Sequence, residues 1–267
     1  MPQILQHNGN IVRNLTGAFG IDNCTPENIK SGVTIAGVTG NFVGTIDRTI
    51  LDNNSWADIK QMVDNGTAPS DWIGQSKKIT EGTYAGYIIK CVDLTSNRYE
   101  KTDGTGYTNA VFQFLYLINQ TYRMNSSATN VGGWASCSLR TTLNSTIYNA
   151  LPTDIKNVIS QCKVLSGTGD NTTSGTSSSD NYLFLPCQYE VFGSVNNSVI
   201  GESSNIFSYY ATNTIYKNRY GTSFTSNQWS RSPQSGNNQR FDINGSTAGT
   251  AYLAANQTAY IAPCFAI

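Results

Sequence analysis

The residues of this chain best suited to chemistry lie near its C-terminal end, and that chemistry is non-covalent recognition. Phe241 and Ile243 alternate with Arg240, Asp242 and Asn244, the period-2 pattern of a strand with one buried face. The opposite face then carries a guanidinium, a carboxylate and an amide. Upstream, Gln234, Asn237, Asn238 and Gln239 add further amides; downstream, Tyr252, Asn256 and Tyr260 add two phenol rings and one more amide. Such a surface binds through adaptable hydrogen bonds and flat aromatic contacts, as antibody loops do. An ordinary polar loop between two core strands would contain the same residue types, and composition alone does not separate the two readings.

Covalent and metal chemistry have fewer candidates. The six cysteines (Cys24, Cys91, Cys137, Cys162, Cys187 and Cys264) are scattered without a Cys-x-x-Cys pair, and the only histidine is His7. No zinc site is expected from such spacing. In a protein folded in a reducing cytoplasm these are free, mostly buried thiols, although the even count leaves disulfides open. A Ser-His-Asp or Cys-His device would have to recruit His7. Glycan hydrolysis needs two carboxylates facing across a bond. Among the 17 acidic residues Glu190 and Asp242 are the least implausible pair, and Glu190 better suits the bracing of a turn. The expectation is no catalytic residue, no metal ligand and no cofactor.

Bulk composition points the same way. Charged residues are only 13% of the chain, and 17 basic residues cancel 17 acidic ones. No basic patch for phosphates stands out, so nucleic acid is not an expected partner. Low charge with abundant Asn, Ser, Thr, Gly and Tyr suits an extracellular or virion surface rather than a metabolic enzyme. The longest apolar run, Val111 to Ile118, is short and interrupted by Gln113, so membrane insertion is not expected. Met1-Pro2-Gln3-Ile4-Leu5-Gln6 shows no signal-peptide pattern. A surface-type protein without a secretion signal fits a phage virion component, released by lysis.

The elements that must position the polar face can be read in part. Residues 1–47 form a Gly-rich leader in which Gly-Val-Thr recurs at a spacing of five, at Gly32 and Gly37; such segments bury little core alone. Ser55 with Asp58 reads as the start of a capped helix, with Trp56, Ile59 and Val63 on one face. Leu139, Leu143, Ile147 and Leu151 recur every four residues, and Pro152 separates them from a second stripe, Ile155, Val158, Ile159 and Cys162, so two core helices are expected. Thr83–Leu94 and Val111–Ile118 read as strands. Ser166–Asp180 is low in complexity and reads as a long exposed loop that tolerates nicking or deletion. A Tyr-rich stretch, Tyr209, Tyr210, Tyr216 and Tyr220, leads into the terminal segment.

A series of landmarks carries a family resemblance. It runs Tyr122-Arg123-Met124-Asn125, Gly132-Gly133-Trp134 with Leu139-Arg140, Leu151-Pro152 with Ile155-Lys156, Leu183-Phe184-Leu185 and Glu190-Val191-Phe192-Gly193. Trp229-Ser230-Arg231-Ser232-Pro233 and Ile261-Ala262-Pro263-Cys264-Phe265 complete it. Over residues 50–267 the chain resembles a domain of unknown function common in gut bacteria and their phages. That domain is similar to the C-type-lectin-like displayed domains of phage tropism determinants, some of them diversified by retroelements. Residues 28–42 resemble a short motif of phage tail proteins. The resemblance implies two helices on a twisted antiparallel sheet, with paired first and last strands and a ligand-facing surface after the Trp-x-Arg-Ser-Pro motif. Retroelement mutagenesis acts on adenines, and Asn237, Asn238, Asp242, Asn244, Tyr252, Asn256 and Tyr260 fit its residue bias. The calcium-lectin motifs Glu-Pro-Asn, Gln-Pro-Asp and Trp-Asn-Asp do not occur, so calcium-mediated sugar binding is not implied.

The expected fold class is therefore α+β, a C-type-lectin-like domain over 48–267 with a small β appendage over 1–47. The expected function is host recognition by a phage tail receptor-binding protein located at the tail fibre or tail tip, or alternatively on a bacterial cell surface. Its partners would be a bacterial surface receptor (glycan or protein), other tail proteins through the leader, and two further copies in a homotrimer. A decoration or baseplate subunit that binds no receptor is the alternative from the structural class, and a surface-glycan hydrolase is the enzymatic one.

Overall fold

A computed structural model describes residues 4–7, 10–14, 29, 32–35, 37–39, 46–196, 198–212, 227–244 and 250–267. Cys24, Tyr216 and Tyr220, and part of the tail-protein-like motif over 28–42, lie outside them. The chain divides into two compact units, Met1–Asp47 and Arg48–Ile267.

In the first unit β1 (Ile4–His7) pairs with β2 (Asn10–Asn14), and β3 (Thr34–Ile35) with β4 (Val38–Thr39). The Gly-Val-Thr repeat is the second of these hairpins. Its two threonines face each other with hydroxyls 3.0 Å apart, and Ile35 pairs with Val38 across the turn.

The second unit is mixed helix and antiparallel sheet. Helix α1 (Trp56–Asp64) starts where the sequence predicts. Ser55 accepts from the Asp58 amide at 3.1 Å while Asp58 accepts from the Ser55 amide at 3.3 Å, closing the capping box. Its buried face is Trp56, Ile59 and Val63. Trp56 meets Phe112 and Phe265 edge-on, which seats α1 on a four-stranded sheet. That sheet contains β5 (Ser76–Lys78), β6 (Ile88–Asp93) and β7 (Val111–Phe114), and the last strand of the chain completes it beside β7. The last strand therefore lies at the edge opposite β5. The pairing of first and last strands implied by the resemblance is absent, because β6 and β7 stand between them.

After β8 (Tyr122–Arg123) come the short helices α2 (Gly133–Ser136) and α3 (Ser138–Thr142). The latter continues as a π-helical turn over Leu143–Ile147. The wide turn explains the four-residue repeat. In an α-helix a strict spacing of four drifts by about 40° per step, and one π turn takes up that drift. Leu139, Leu143, Ile147 and Leu151 are all buried. The second predicted helix is shorter than expected: α4 covers only Thr153–Lys156, and Cys162 instead opens a strand, β9 (Cys162–Gly167).

The low-complexity segment is a second departure. Thr176–Asn181 forms β10, paired with β9 over six residues, and Ser166, Ser179 and Asn181 are buried. Nothing apolar marks this strand. It is held by its ladder and by Asn181, whose Oδ1 accepts from Trp134 Nε1 and Arg140 Nε, each at 3.1 Å. Two glycines let the chain pack closely around this hairpin. A Cβ on Gly133 (φ +57) would lie 1.8 Å from the Gly167 carbonyl oxygen, and one on Gly169 (φ +68) 1.9 Å from that of Asn130.

Helices α5 (Gln188–Phe192) and α6 (Ser208–Thr212) lead to a three-stranded sheet of β11 (Gln228–Pro233), β12 (Arg240–Asn244) and β13 (Thr250–Ala254). Strand β14 (Thr258–Ala259) pairs with β8, and β15 (Cys264–Ala266) is the last strand beside β7. Between α5 and β11 lies a buried ionic centre. Arg231 forms two bonds to Glu190, at 2.5 and 2.8 Å, and donates to the carbonyls of Leu165 and Leu185 at 2.9 Å each. Glu190 also caps α5 by accepting from the Cys187 amide at 2.9 Å, and it accepts from the Tyr99 hydroxyl at 2.6 Å. Arg98 lies 3.7 Å from Glu190 and 3.5 Å from Asp93.

Candidate functional site

Strands β11 and β12 are joined by the turn 234–239, which is built from the residues the sequence singles out. The Gln234 amide donates to the Arg240 carbonyl at 3.0 Å, and the Asn237 side chain accepts from the Gln239 amide at 2.8 Å. The neighbouring turn after β13 is tied in by the Ala255 amide, 2.8 Å from the Gln239 carbonyl. Asn256 is exposed on that second turn. Asn238, Gln239 and Arg240 are exposed, while Gln234 and Asn237 are half-buried. The Arg240 guanidinium lies over the Tyr252 ring at 5.1 Å from its centroid, and Tyr252 is 40% exposed. Gln234, Asn237, Asn238, Gln239, Arg240, Tyr252 and Asn256 thus form one surface.

Three predicted residues do not join it. Asp242 and Asn244 are 1% and 2% exposed. The alternation itself is right: Phe241 and Ile243 pair with Pro233 and Trp229 toward the core. Alternation identifies residues that share a face, however, and does not say whether that face meets water. Here the ladder slips so that Ser230, Arg231 and Ser232 stand opposite Asp242 alone, a bulge that bends the strand. The Ser232 hydroxyl there bonds to Glu202, which is itself buried. Tyr260, half-buried, bridges to Gln228, whose ladder partner is Asn244. That places it at the far end of β12, about 13 Å along the strand from Arg240 at the usual rise per residue.

The electrostatics of the buried part are unusual. Burial, and then the neighbouring Glu202 carboxyl, push Asp242 up to about 8. Burial likewise pushes Glu202 up to about 7, against the pull of Arg231, the Ser232 hydroxyl and the Gly167 amide. Neither Asp242 oxygen has a hydrogen-bond partner among the described residues, nor do Asn244 Nδ2 and Gln234 Oε1. Glu190 behaves oppositely: burial pushes it up, but Arg231, with its charge and hydrogen bonds, pulls harder and leaves it lowered. Glu190 thus braces a helix start and a buried ion pair, the structural role the sequence favours for it. The described cysteines are buried, and burial raises Cys137 and Cys162 to about 12, far from thiolate reactivity.

Among the described residues no cluster of three or more His, Cys, Asp or Glu could hold a metal ion, and no helix is long and apolar enough to cross a membrane. A groove of about 880 Å³ lies between α1, β5 and α4 and shares no residue with the surface around Arg240. Sequence reasoning missed Asn130, Val131, Asp170 and Asn171, which adjoin that surface. Only the Gly-Asp-Asn run at 169–171 offers a turn signal, matched by positive φ at Asp170 and Asn171.

Together these features define a mixed α/β domain that presents a polar, aromatic-bearing turn surface. Residues 88–267 match the family described as a domain of unknown function (DUF6273), about two thirds of the chain. The chain belongs to that family. No curated protein and no solved structure matches it.

Proposed function

We propose that the protein is a phage tail receptor-binding protein, in which the Arg48–Ile267 unit is a C-type-lectin-like ligand-binding domain and the Met1–Asp47 unit attaches it to the virion. The observation that carries this reading is the exposed Arg240–Tyr252 stack, flanked by Asn238, Gln239 and Asn256 on turns fixed by main-chain hydrogen bonds. Rigid aromatic and arginine side chains are the usual anchors of binding energy, and amides around them supply adaptable partners. The site needs no cofactor and carries out no covalent step.

The test is binding of fluorescently labelled full-length protein to a panel of intact gut bacteria. On a strain that binds, Arg240→Ala or Tyr252→Ala weakens binding by about 1–3 kcal/mol, while the melting temperature stays within about 2 °C, as for exposed positions. If both variants bind like the wild type, the terminal surface is scaffold and the decoration-subunit reading replaces this one.

The proposal extends to assembly. Two small hairpins in the leader offer little core of their own, so several leaders would associate, most simply as a homotrimer. Light scattering of the intact protein at micromolar concentration checks this; a monomer rejects it.

A further inference from the structure

Three turns from distant parts of the chain meet on one buried side chain. Asn130 is 0% exposed and every polar group it has is engaged. Its Nδ2 donates to the carbonyls of Asn237 at 2.7 Å and Arg240 at 2.8 Å, and its amide donates to the Asn238 carbonyl at 2.9 Å. Its Oδ1 accepts from the Asp170 amide at 3.0 Å, and its carbonyl accepts from Gly133 at 2.8 Å. The β9–β10 turn is held to the same place twice more. Gly169 packs against the Asn130 carbonyl so closely that no Cβ fits, and the Gly236 amide donates to the Thr172 carbonyl at 3.3 Å.

These bonds bring exposed side chains from the other two turns next to Arg240. Val131 is 51% exposed immediately after Asn130, and Asp170 and Asn171 are exposed on the hairpin turn. We infer that the binding surface is composite, with Val131, Asp170 and Asn171 forming one flank of it, and that its ligand is a protein rather than a saccharide. This rests on the receptor-binding reading above. An exposed branched aliphatic side chain, a carboxylate, a guanidinium, a phenol ring and amides on one surface match the mixed apolar and polar make-up of a protein interface. Stacking a sugar needs an open ring face, and the Arg240 guanidinium already takes one of the two faces of the Tyr252 ring.

The experiment uses intact cells of a strain that binds the full-length protein, before and after proteinase K or periodate. Four proteins are compared: wild type, Arg240→Ala, Val131→Asp and Asn171→Gly. Glycine suits the last position because Asn171 has φ +65. Val131→Asp is expected to weaken binding about tenfold or more and Asn171→Gly about threefold, the range of interface truncations, with unchanged melting curves. Proteinase K is expected to abolish binding and periodate to leave it. If Arg240→Ala weakens binding while Val131→Asp and Asn171→Gly do not, the composite surface is overturned and the receptor-binding reading stands. If none of the three weakens it, both fail. Binding that survives proteinase K and is lost to periodate makes the ligand a saccharide and overturns the assignment to protein.

Discussion

Replacing Arg231 by methionine is expected to destabilise the protein by about 3–5 kcal/mol, the cost of leaving a buried charge without its partner. Arg231 and Glu190 are wholly buried, and with Arg98 and Asp93 they make a balanced quartet of two cations and two anions. Without Arg231, two buried carboxylates share the single Arg98 guanidinium, whose nearest contacts to them are 3.5 and 3.7 Å. The carbonyls of Leu165 and Leu185 lose their donors as well. The double variant Arg231→Met/Glu190→Gln should recover part of the loss, because no charge is then left unpaired. Urea unfolding of the full chain measures both. A loss below about 1 kcal/mol in the single variant would place the pair with exposed ion pairs and refute the argument.

The second large effect is on pH. Asp242 is raised from 3.8 to about 8 and Glu202 from 4.5 to about 7, so in that window the folded state holds protons that the unfolded chain has released. Stability therefore falls as pH rises between the unfolded and folded values. The contribution is fully present below the unfolded value of 3.8 and gone above about pH 8. The melting temperature is expected to drop by more than about 10 °C from pH 5 to pH 8.5, since each pH unit over which one of these carboxyls is protonated only in the folded state costs about 1.4 kcal/mol and 1 kcal/mol is roughly 2–4 °C at this size. Asp242→Asn, which keeps the shape and cannot ionise, should flatten most of that slope and melt higher than wild type at pH 8.5. The same slope in Asp242→Asn as in wild type would show that other groups set the pH response.

What the sequence reveals of this fold is its local chemistry. The Ser55–Asp58 box and the stripe Trp56, Ile59, Val63 specify α1, and the four-residue leucine and isoleucine repeat specifies a core helix, because capping and periodicity act within a few residues. Strand β10 was not legible: Thr-Ser-Ser-Ser-Asp-Asn has no apolar member, and its order comes from pairing with β9 and from Trp134 and Arg140 reaching Asn181. Burial of Asp242 and Asn244 was hidden for the same reason. The bulge at Ser230–Ser232 and the Glu202 side chain that meets it are set by tertiary contacts. Seven of the ten predicted surface residues do come together, since they lie on two adjacent turns and on the paired strands β12 and β13 beside them. Asn130 joins them from more than a hundred positions away, and nothing local announces it.

The way Asn130 holds the turn has a consequence for how freely this surface can vary. All three of its donated bonds end on main-chain carbonyls, those of Asn237, Asn238 and Arg240. Every residue type supplies the same carbonyl, so the anchor does not depend on which side chains stand there. Shape and specificity are thereby uncoupled: the backbone path is fixed from beneath while the outward groups at 238, 239 and 240 are free to be exchanged. A combinatorial library at these positions should keep a high fraction of folded members. The same library at 242 and 244 would be mostly lost to misfolding. That asymmetry makes the turn a natural place for a lineage, or an engineer, to change what the protein binds without rebuilding what it is.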